Sequence, residues 1–372
     1  MTTIGIIGLG AMGLGIAQVY AQAGHAVIAT DANAQVRATA HARLRQGLHP
    51  RVAKGAMTAF ARDAVLSRVQ VVERVQGLAD ADLVIEAVIE RLAVKQAVFA
   101  TLEPLLRAEA VLASNTSSLS VAAIAEGLMR PERMLGLHFF NPAPAMRLVE
   151  LIPHAGTSAQ ALNLARTLTE SAGKTVIQCA DRPGFIVNRC ARPYYGEALA
   201  MLEEGRLAAD IDAAMTAAGY RIGPFGLIDL IGADINLAAT QSLSAAMAGH
   251  PRYHVFAALR AQVMRGDLGR KTGRGFVFPA DAVPAPADAA AIVQRIEATL
   301  VNEAHWLLSE GGCTADGIDT ALQLGLNFPR GPFAIMAQRG PQAVRATLAA
   351  LETAAPPHLQ GRYLPAPIFE LG

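Results

Sequence analysis

The stretch TIGIIGLGAMGLGIAQVYAQAGHAVIATD, from Thr3 to Asp31, restricts the possible folds more than any other part of the chain. An apolar run, Ile4 to Ile7, leads into Gly8, Gly10 and Gly13 in the spacing GxGxxG. A helix is expected from Met12 to Ala23, with Gly24 as its stop, and a second strand, AVIAT, closes at Asp31. Strand, glycine turn, helix, strand and terminal carboxylate in this order define a nucleotide-binding βαβ unit. The glycines allow a tight turn, close approach of a pyrophosphate and close helix–strand packing, and the helix N-terminus faces the phosphates. Gly8, Gly10, Ala11, Met12 and Gly13 are therefore read as cofactor-binding. Asp31 stands where a carboxylate accepts from the adenosine ribose hydroxyls and repels a 2′-phosphate. No arginine follows at Ala32 or Asn33, so the cofactor expected is NAD rather than NADP.

The rest of the chain sets the scale. At 372 residues it is too long for one core, and two or three domains are expected. A net charge of +1 argues against a nucleic-acid footprint and against an anionic-membrane protein. Cys179, Cys190 and Cys313 form neither a metal-type spacing nor a disulfide framework, so no metal is expected and a reducing cytoplasm fits. No apolar run reaches the roughly 18–20 residues that span a bilayer. The first strand starts almost at Met1, and no signal peptide is expected before it.

Residues 34–68 read as a long helical excursion, followed by the strands VQVVE, ADLVIEAV, EAVLASN and RMLGLHFFN. In a doubly wound sheet, ligands bind beyond the carboxyl ends of the strands. Three successive strands deliver polar groups there: Glu90 and Lys95, then Thr116, Ser117 and Ser118, then His138 and Asn141. Each group also has a bland explanation. NTSS suits a helix cap, Glu90 and Lys95 suit a solvated face, and His138 suits a satisfied core histidine. Their convergence on one edge argues for a site.

The runs SNTSS, HFFNP, LVEL and RPGFIVNR resemble, in order and spacing, the L-3-hydroxyacyl-CoA dehydrogenases, and the resemblance runs from Met1 to Phe278. The glycine loop alone is also similar to the 3-hydroxyisobutyrate dehydrogenases, but that group lacks HFFNP. The resemblance implies His138 as catalytic base, Glu150 as its orienting carboxylate, and Ser117 and Asn188 at the substrate oxygen and nicotinamide end. It implies cofactor contacts at Asp31, Glu90, Lys95, Ser117, Asn141 and Lys271, and a CoA-phosphate contact at Lys54. Members often carry a hydroxyl seven residues before that lysine, where this chain has Gly47. Only four lysines occur, Lys54, Lys95, Lys174 and Lys271, and Lys174 has no ligand role in this reading.

The chemistry is consistent with these residue types. Oxidising a secondary alcohol requires a base for the hydroxyl proton, and histidine titrates near the working pH. A carboxylate on the far ring nitrogen fixes the tautomer and stabilises the imidazolium. After a turn at Asn141–Pro144, MRLVEL can return as a strand and bring Glu150 beside His138.

The second half is helical, with a boundary at Asp181-Arg182-Pro183-Gly184, and its sequence repeats. EALAMLEEGRLAADIDAAMTAAGYRIGPFGLIDLIG from Glu197 matches EAHWLLSEGGCTADGIDTALQLGLNFPRGPFAIMAQRG from Glu303. The second copy is read as lacking the NR of the first and as stopping before any RKTGRGF, so it is expected to be structural. The expected organisation is an α/β Rossmann-type doubly wound domain at 1–180, a helical domain at 181–278, a Pro/Ala linker at 279–291 and a degenerate second helical copy at 292–372. The copies are expected to pack as a pseudo-twofold pair through Leu199, Leu202, Leu207, Ile211 and Met215 on one side and Trp306, Leu307, Ile318 and Leu322 on the other. The chain is then a monomer with an internal pseudo-dimer, or a homodimer through another surface.

The function expected is NAD-dependent interconversion of (3S)-3-hydroxyacyl-CoA and 3-oxoacyl-CoA, of the kind used in fatty-acid β-oxidation. Two alternatives differ in kind. One is a dehydrogenase of a free 3-hydroxy acid, of gulonate or carnitine type. The other is a catalytically silent NAD-binding structural protein, against which the intact His138 and Glu150 argue.

Overall fold

The structure is a computed structural model that describes residues 2–279, 281 and 283–367. Parts of the expected linker (280 and 282) and of the expected second copy (368–372) lie outside the described residues. The chain divides into two compact units, Met1–Arg182 and Pro183–Gly372.

Among the described residues of the first unit, eight strands form one sheet: β1 (Thr3–Ile7), β2 (Ala26–Thr30), β3 (Val69–Val71), β4 (Leu83–Glu86), β5 (Val111–Ser114), β6 (Met134–Phe139), β7 (Leu148–Pro153) and β8 (Thr175–Gln178). Their order is β3-β2-β1-β4-β5-β6-β7-β8. All neighbours are parallel except β6 and β7. The order reverses between β1 and β4, which places the binding crevice at their carboxyl ends. The helices are α1 (Ala11–Gln22), α2 (Ala34–Ala53), α3 (Ala59–Ser67), α4 (Leu92–Leu102), α5 (Val121–Ala125) and α6 (Ala159–Ser171). The central strands are apolar on both faces, as a sheet covered by helices requires: Ile4, Ile6, Leu83, Ile85, Leu112 and Leu135 have no exposed surface. The sequence does not announce β8: TVIQ is only four residues long, with polar residues at both ends.

The helices of the second unit are α7 (Val187–Cys190), α8 (Arg192–Glu203), α9 (Ala208–Ala217), α10 (Pro224–Ile231), α11 (Ala233–Ala246), α12 (Ala257–Met264), α13 (Ala289–Ser309), α14 (Ala315–Leu326), α15 (Pro332–Arg339) and α16 (Pro341–Ala354). The repeated letters correspond to repeated geometry. Asp212 accepts from the Phe225 and Gly226 amides at the start of α10, and Asp319 accepts from the Phe333 and Ala334 amides at the start of α15. A Cβ on Gly223 or Gly331 would fall 2.3 or 2.2 Å from the carboxyl carbon of Asp212 or Asp319, so the shared GPF needs its glycine. Asp229 accepts from the amides of Phe276, Val277 and Phe278, closing the GRGFVF segment on α10. In the second copy alanine, Ala337, stands at the position of Asp229.

The two copies pack on one another, and one sequence expectation needs correction here. The second copy keeps the arginine of NR as Arg295; only Asn188 is replaced, by Gln294. Arg189 and Arg295 each precede the first glutamate of their copy, Glu197 or Glu303, by eight residues. Each arginine pairs with the glutamates of the other copy. Arg189 reaches Glu303 at 2.7 Å and Glu310 at 2.6 Å, and Arg295 reaches Glu197 at 3.0 Å and Glu204 at 2.6 Å. Arg252 and Arg362 repeat the exchange, at 3.1 Å from Glu303 and 2.7 Å from Glu197. Of the apolar positions expected between the copies, Leu199, Ile211, Met215, Leu307, Ile318 and Leu322 are buried. Leu207 is 66% exposed because it caps the start of α9 rather than lying on its inner face.

Candidate active site

The glycine turn has the geometry that its spacing implies. Gly8 takes φ +95°, and a Cβ on Gly13 would fall 1.8 Å from the Gly8 carbonyl oxygen, so neither position tolerates a side chain. A Cβ on Gly10 would meet no protein atom within 4 Å. The space over Gly10, at the start of α1, is the cradle that a pyrophosphate fits. Asp31 accepts from the Leu9 amide at 2.7 Å and the Asn33 amide at 2.8 Å, which fixes its carboxylate beside the turn. Two arginines that the sequence did not single out are also here. Arg43 donates to the Leu9 carbonyl at 2.8 Å, and Arg37 donates to the Asp31 carbonyl at 2.6 Å. No arginine follows Asp31 directly, but α2 returns one to it.

Beyond β4 and β5 lies a polar network. Glu86 ends β4 with no exposed surface; it accepts from Lys95 at 2.7 Å, Ser114 at 2.7 Å and the Val88 amide at 2.6 Å. Lys95 also lies 3.1 Å from Glu90. Glu90 in turn accepts from the Thr116 hydroxyl at 2.6 Å, the Ser117 amide at 2.9 Å and the Ser118 amide at 3.1 Å. Partial burial raises the Glu90 carboxyl's pKa, and Lys95, Thr116 and Ser117 lower it; the net shift is downward. Lys95 is 1% exposed, so its ammonium is committed to the two glutamates. Glu86 and Ser114 were missed, although a carboxylate inside the apolar strand DLVIEAV was a usable signal.

His138 and Glu150 face one another across β6 and β7 as register partners. His138 Nδ1 and Glu150 Oε2 are 2.6 Å apart, and Glu150 has no exposed surface. The Asn115 side chain accepts from the Phe139 amide at 2.8 Å, tying the end of β5 to that of β6. Ser117 and Asn141 are exposed beyond β5 and β6. Lys54 is exposed and caps the C-terminus of α2. Asn188, on α7, and Lys271, 2.5 Å from Asp234, belong to the second unit.

The first unit also carries a groove of about 510 Å³ lined by α1, α2 and the turn after β6. Arg43, Gly47 and Arg51 line it from α2, and Pro142, Pro144 and Ala145 line it from the turn.

Comparison with known proteins agrees with this layout. The sequence model for "3-hydroxyacyl-CoA dehydrogenase, NAD binding domain" matches residues 3–182. That for "3-hydroxyacyl-CoA dehydrogenase, C-terminal domain" matches 184–278 and again 292–371. The 3-hydroxyadipyl-CoA dehydrogenase of Escherichia coli K12 is 35% identical over 275 residues, 73% of this chain and 58% of that protein's length. Among solved structures, a 3-hydroxybutyryl-CoA dehydrogenase from Escherichia coli K12 is 33% identical and superposes with a TM-score of 0.93, covering 100% of this chain and 98% of that one. The (S)-3-hydroxybutyryl-CoA dehydrogenase of Ralstonia eutropha is 35% identical with a TM-score of 0.71, covering 74% of this chain and 98% of that one. With its NAD-binding domain and two stretches of C-terminal domain, the chain belongs to the 3-hydroxyacyl-CoA dehydrogenase family.

Proposed function

We propose that this chain catalyses NAD-dependent interconversion of (3S)-3-hydroxyacyl-CoA and 3-oxoacyl-CoA. The observation that carries the reading is the buried His138–Glu150 pair at a strand end, 2.6 Å apart. Glu150 accepts from Nδ1–H, which makes Nε2 the basic nitrogen. Nε2 takes the proton of the C3 hydroxyl as its O–H bond breaks and the carbonyl forms. Bound NAD supplies the acceptor for the hydride that leaves C3. Glu150 stabilises the imidazolium that results, and in the reverse direction His138 returns the proton to the oxygen. Ser117 is assigned to the substrate oxygen and nicotinamide end, and Asn141 to the cofactor. From the family resemblance, Asn188 is assigned to the substrate, and Lys271 and Glu90 to the cofactor side; Lys95, buried against Glu86 and Glu90, acts there only by holding those two carboxylates.

The groove supports a CoA thioester over a free acid. Arg43 and Arg51 place two guanidiniums along it, and guanidinium suits phosphate. Lys54 follows at the end of the same helix. The relatives named above act on a short and on a dicarboxylic acyl group, so acetoacetyl-CoA and 3-oxoadipyl-CoA are the substrates to compare. The test is NADH consumption, followed by absorbance, with acetoacetyl-CoA against free acetoacetate. Turnover of the thioester at a kcat/KM at least about a hundredfold higher supports the reading. Equal use of the acid favours the free-acid alternative. No turnover of either favours the silent protein. Among the described residues no helix is long and apolar enough to cross a membrane. We assign the enzyme to the cytoplasm.

A further inference from the structure

We propose that Lys174 is a positioning residue for the CoA end of the substrate: its ammonium clamps the Pro142–Met146 turn and so sets the width of the groove between that turn and α2. The proposal rests on the reading of the groove as the site of the thioester's nucleotide tail.

Lys174 lies between α6 and β8 and is 9% exposed. Its Nζ donates to the Ala143 carbonyl at 2.6 Å and to the Met146 carbonyl at 2.7 Å. Both carbonyls belong to the turn that joins β6 to β7, between His138 and Glu150. Burial pushes the Lys174 pKa down to about 8, so the fold bears a desolvation cost to keep an ammonium here. Without it, two carbonyls beneath the turn would lose their shared donor. The turn's own bonds do not replace it, because the Ala145 and Met146 amides both go to the Pro142 carbonyl.

The turn is also held from α1. A Cβ on Gly15 would lie 3.2 Å from Pro144 Cδ and 3.3 Å from Ala143 Cβ, so helix and turn are already in contact. Clamped between Lys174 and Gly15, the turn presents Pro142, Pro144 and Ala145 as a fixed part of the lining that Arg43 and Arg51 complete from α2. Among the groove's lining residues Lys174 does not appear. It acts through the turn.

The experiment compares wild type, Lys174→Met and Gly15→Ala on two substrates: acetoacetyl-CoA and its N-acetylcysteamine thioester, which carries the same reacting atoms without the nucleotide tail. In Lys174→Met we expect the KM for acetoacetyl-CoA to rise about tenfold with kcat within about threefold, and kcat/KM for the short thioester to change less than about twofold. Gly15→Ala pushes on the same turn from the other side while gaining helix propensity, so it should fold and show the same split. It carries the test if Lys174→Met does not fold. Equal losses on both thioesters would mean a purely structural lysine and overturn the proposal, as would an unchanged KM for acetoacetyl-CoA. If wild type itself uses both thioesters equally well, the groove does not bind the tail; the reading of the groove then falls, and the proposal with it.

Discussion

His138 and Glu150 are twelve residues apart in the chain and directly opposite in the sheet, with Nδ1 and Oε2 separated by 2.6 Å. The antiparallel return of β7 makes this possible. A parallel neighbour would have required a crossover of a dozen or more residues and a different partner. Replacing His138 by Ala should lower kcat by about 10²–10⁴-fold with little change in NADH affinity measured by fluorescence titration. Glu150→Gln should also lower kcat. Near-native turnover of His138→Ala would remove histidine from the mechanism.

Asp31 should set cofactor choice. Its carboxylate is fixed by the Leu9 and Asn33 amides beside the glycine turn, where it would repel a 2′-phosphate. Wild type should therefore prefer NADH over NADPH in kcat/KM. Because Arg37 already reaches the Asp31 carbonyl, Asp31→Ser should narrow that preference by raising NADPH use as well as by weakening NADH. A wild type that favours NADPH would contradict the assignment.

Lys95→Met should destabilise the protein by roughly 3–5 kcal/mol in urea unfolding, because it leaves the fully buried Glu86 without its cation. The double variant Lys95→Met/Glu86→Gln should recover part of that loss. Full stability of the single variant would show that the Lys95–Glu86 pair does not hold the fold together.

Acid should weaken the helical unit through Glu197. Burial raises its carboxyl's pKa, but Arg362 and Arg295 lower it more, and the net shift is downward. A carboxyl depressed in the folded state contributes stability that is complete above its unfolded value, about 4.3, and is lost as pH falls through the folded value. The unfolding midpoint, followed by circular dichroism, should therefore fall on acidification below about pH 4.3. In Glu197→Gln the pH dependence should flatten around a lower neutral midpoint. A parallel acid profile in both proteins would show that Glu197 is not the linked group.

Ending the chain after Pro279 should remove Arg295, Glu303 and Arg362 from the exchange with Arg189, Glu197 and Arg252. Buried charges without partners and an uncovered apolar face should give an aggregate or a new dimer by light scattering. A soluble, stable monomer would show that the pairing of the copies is dispensable.

Which parts were legible follows from the range of the interactions. GxGxxG, Asp31, the polar strand ends and His138 are visible because backbone sterics and strand polarity act over a few residues. Gly13 is required by the Gly8 carbonyl, five residues away. The repeat was visible as letters, yet comparing pairs of letters hid the equivalence of Arg189 and Arg295, which emerged only from their matching glutamates.

A nucleotide-binding sheet, a histidine and a glutamate able to meet, and a duplicated helical half are all legible in the order of the residues. Where buried charges find partners depends on the folded packing. It placed Arg362 on Glu197 across 165 residues, Arg43 on the Leu9 carbonyl across 34, and Lys174 on the Ala143 carbonyl across 31. A charged side chain in the sequence specifies that a partner is needed and not which one. The choice is made when packing closes the remaining directions and desolvation makes an unpaired ion too costly to keep.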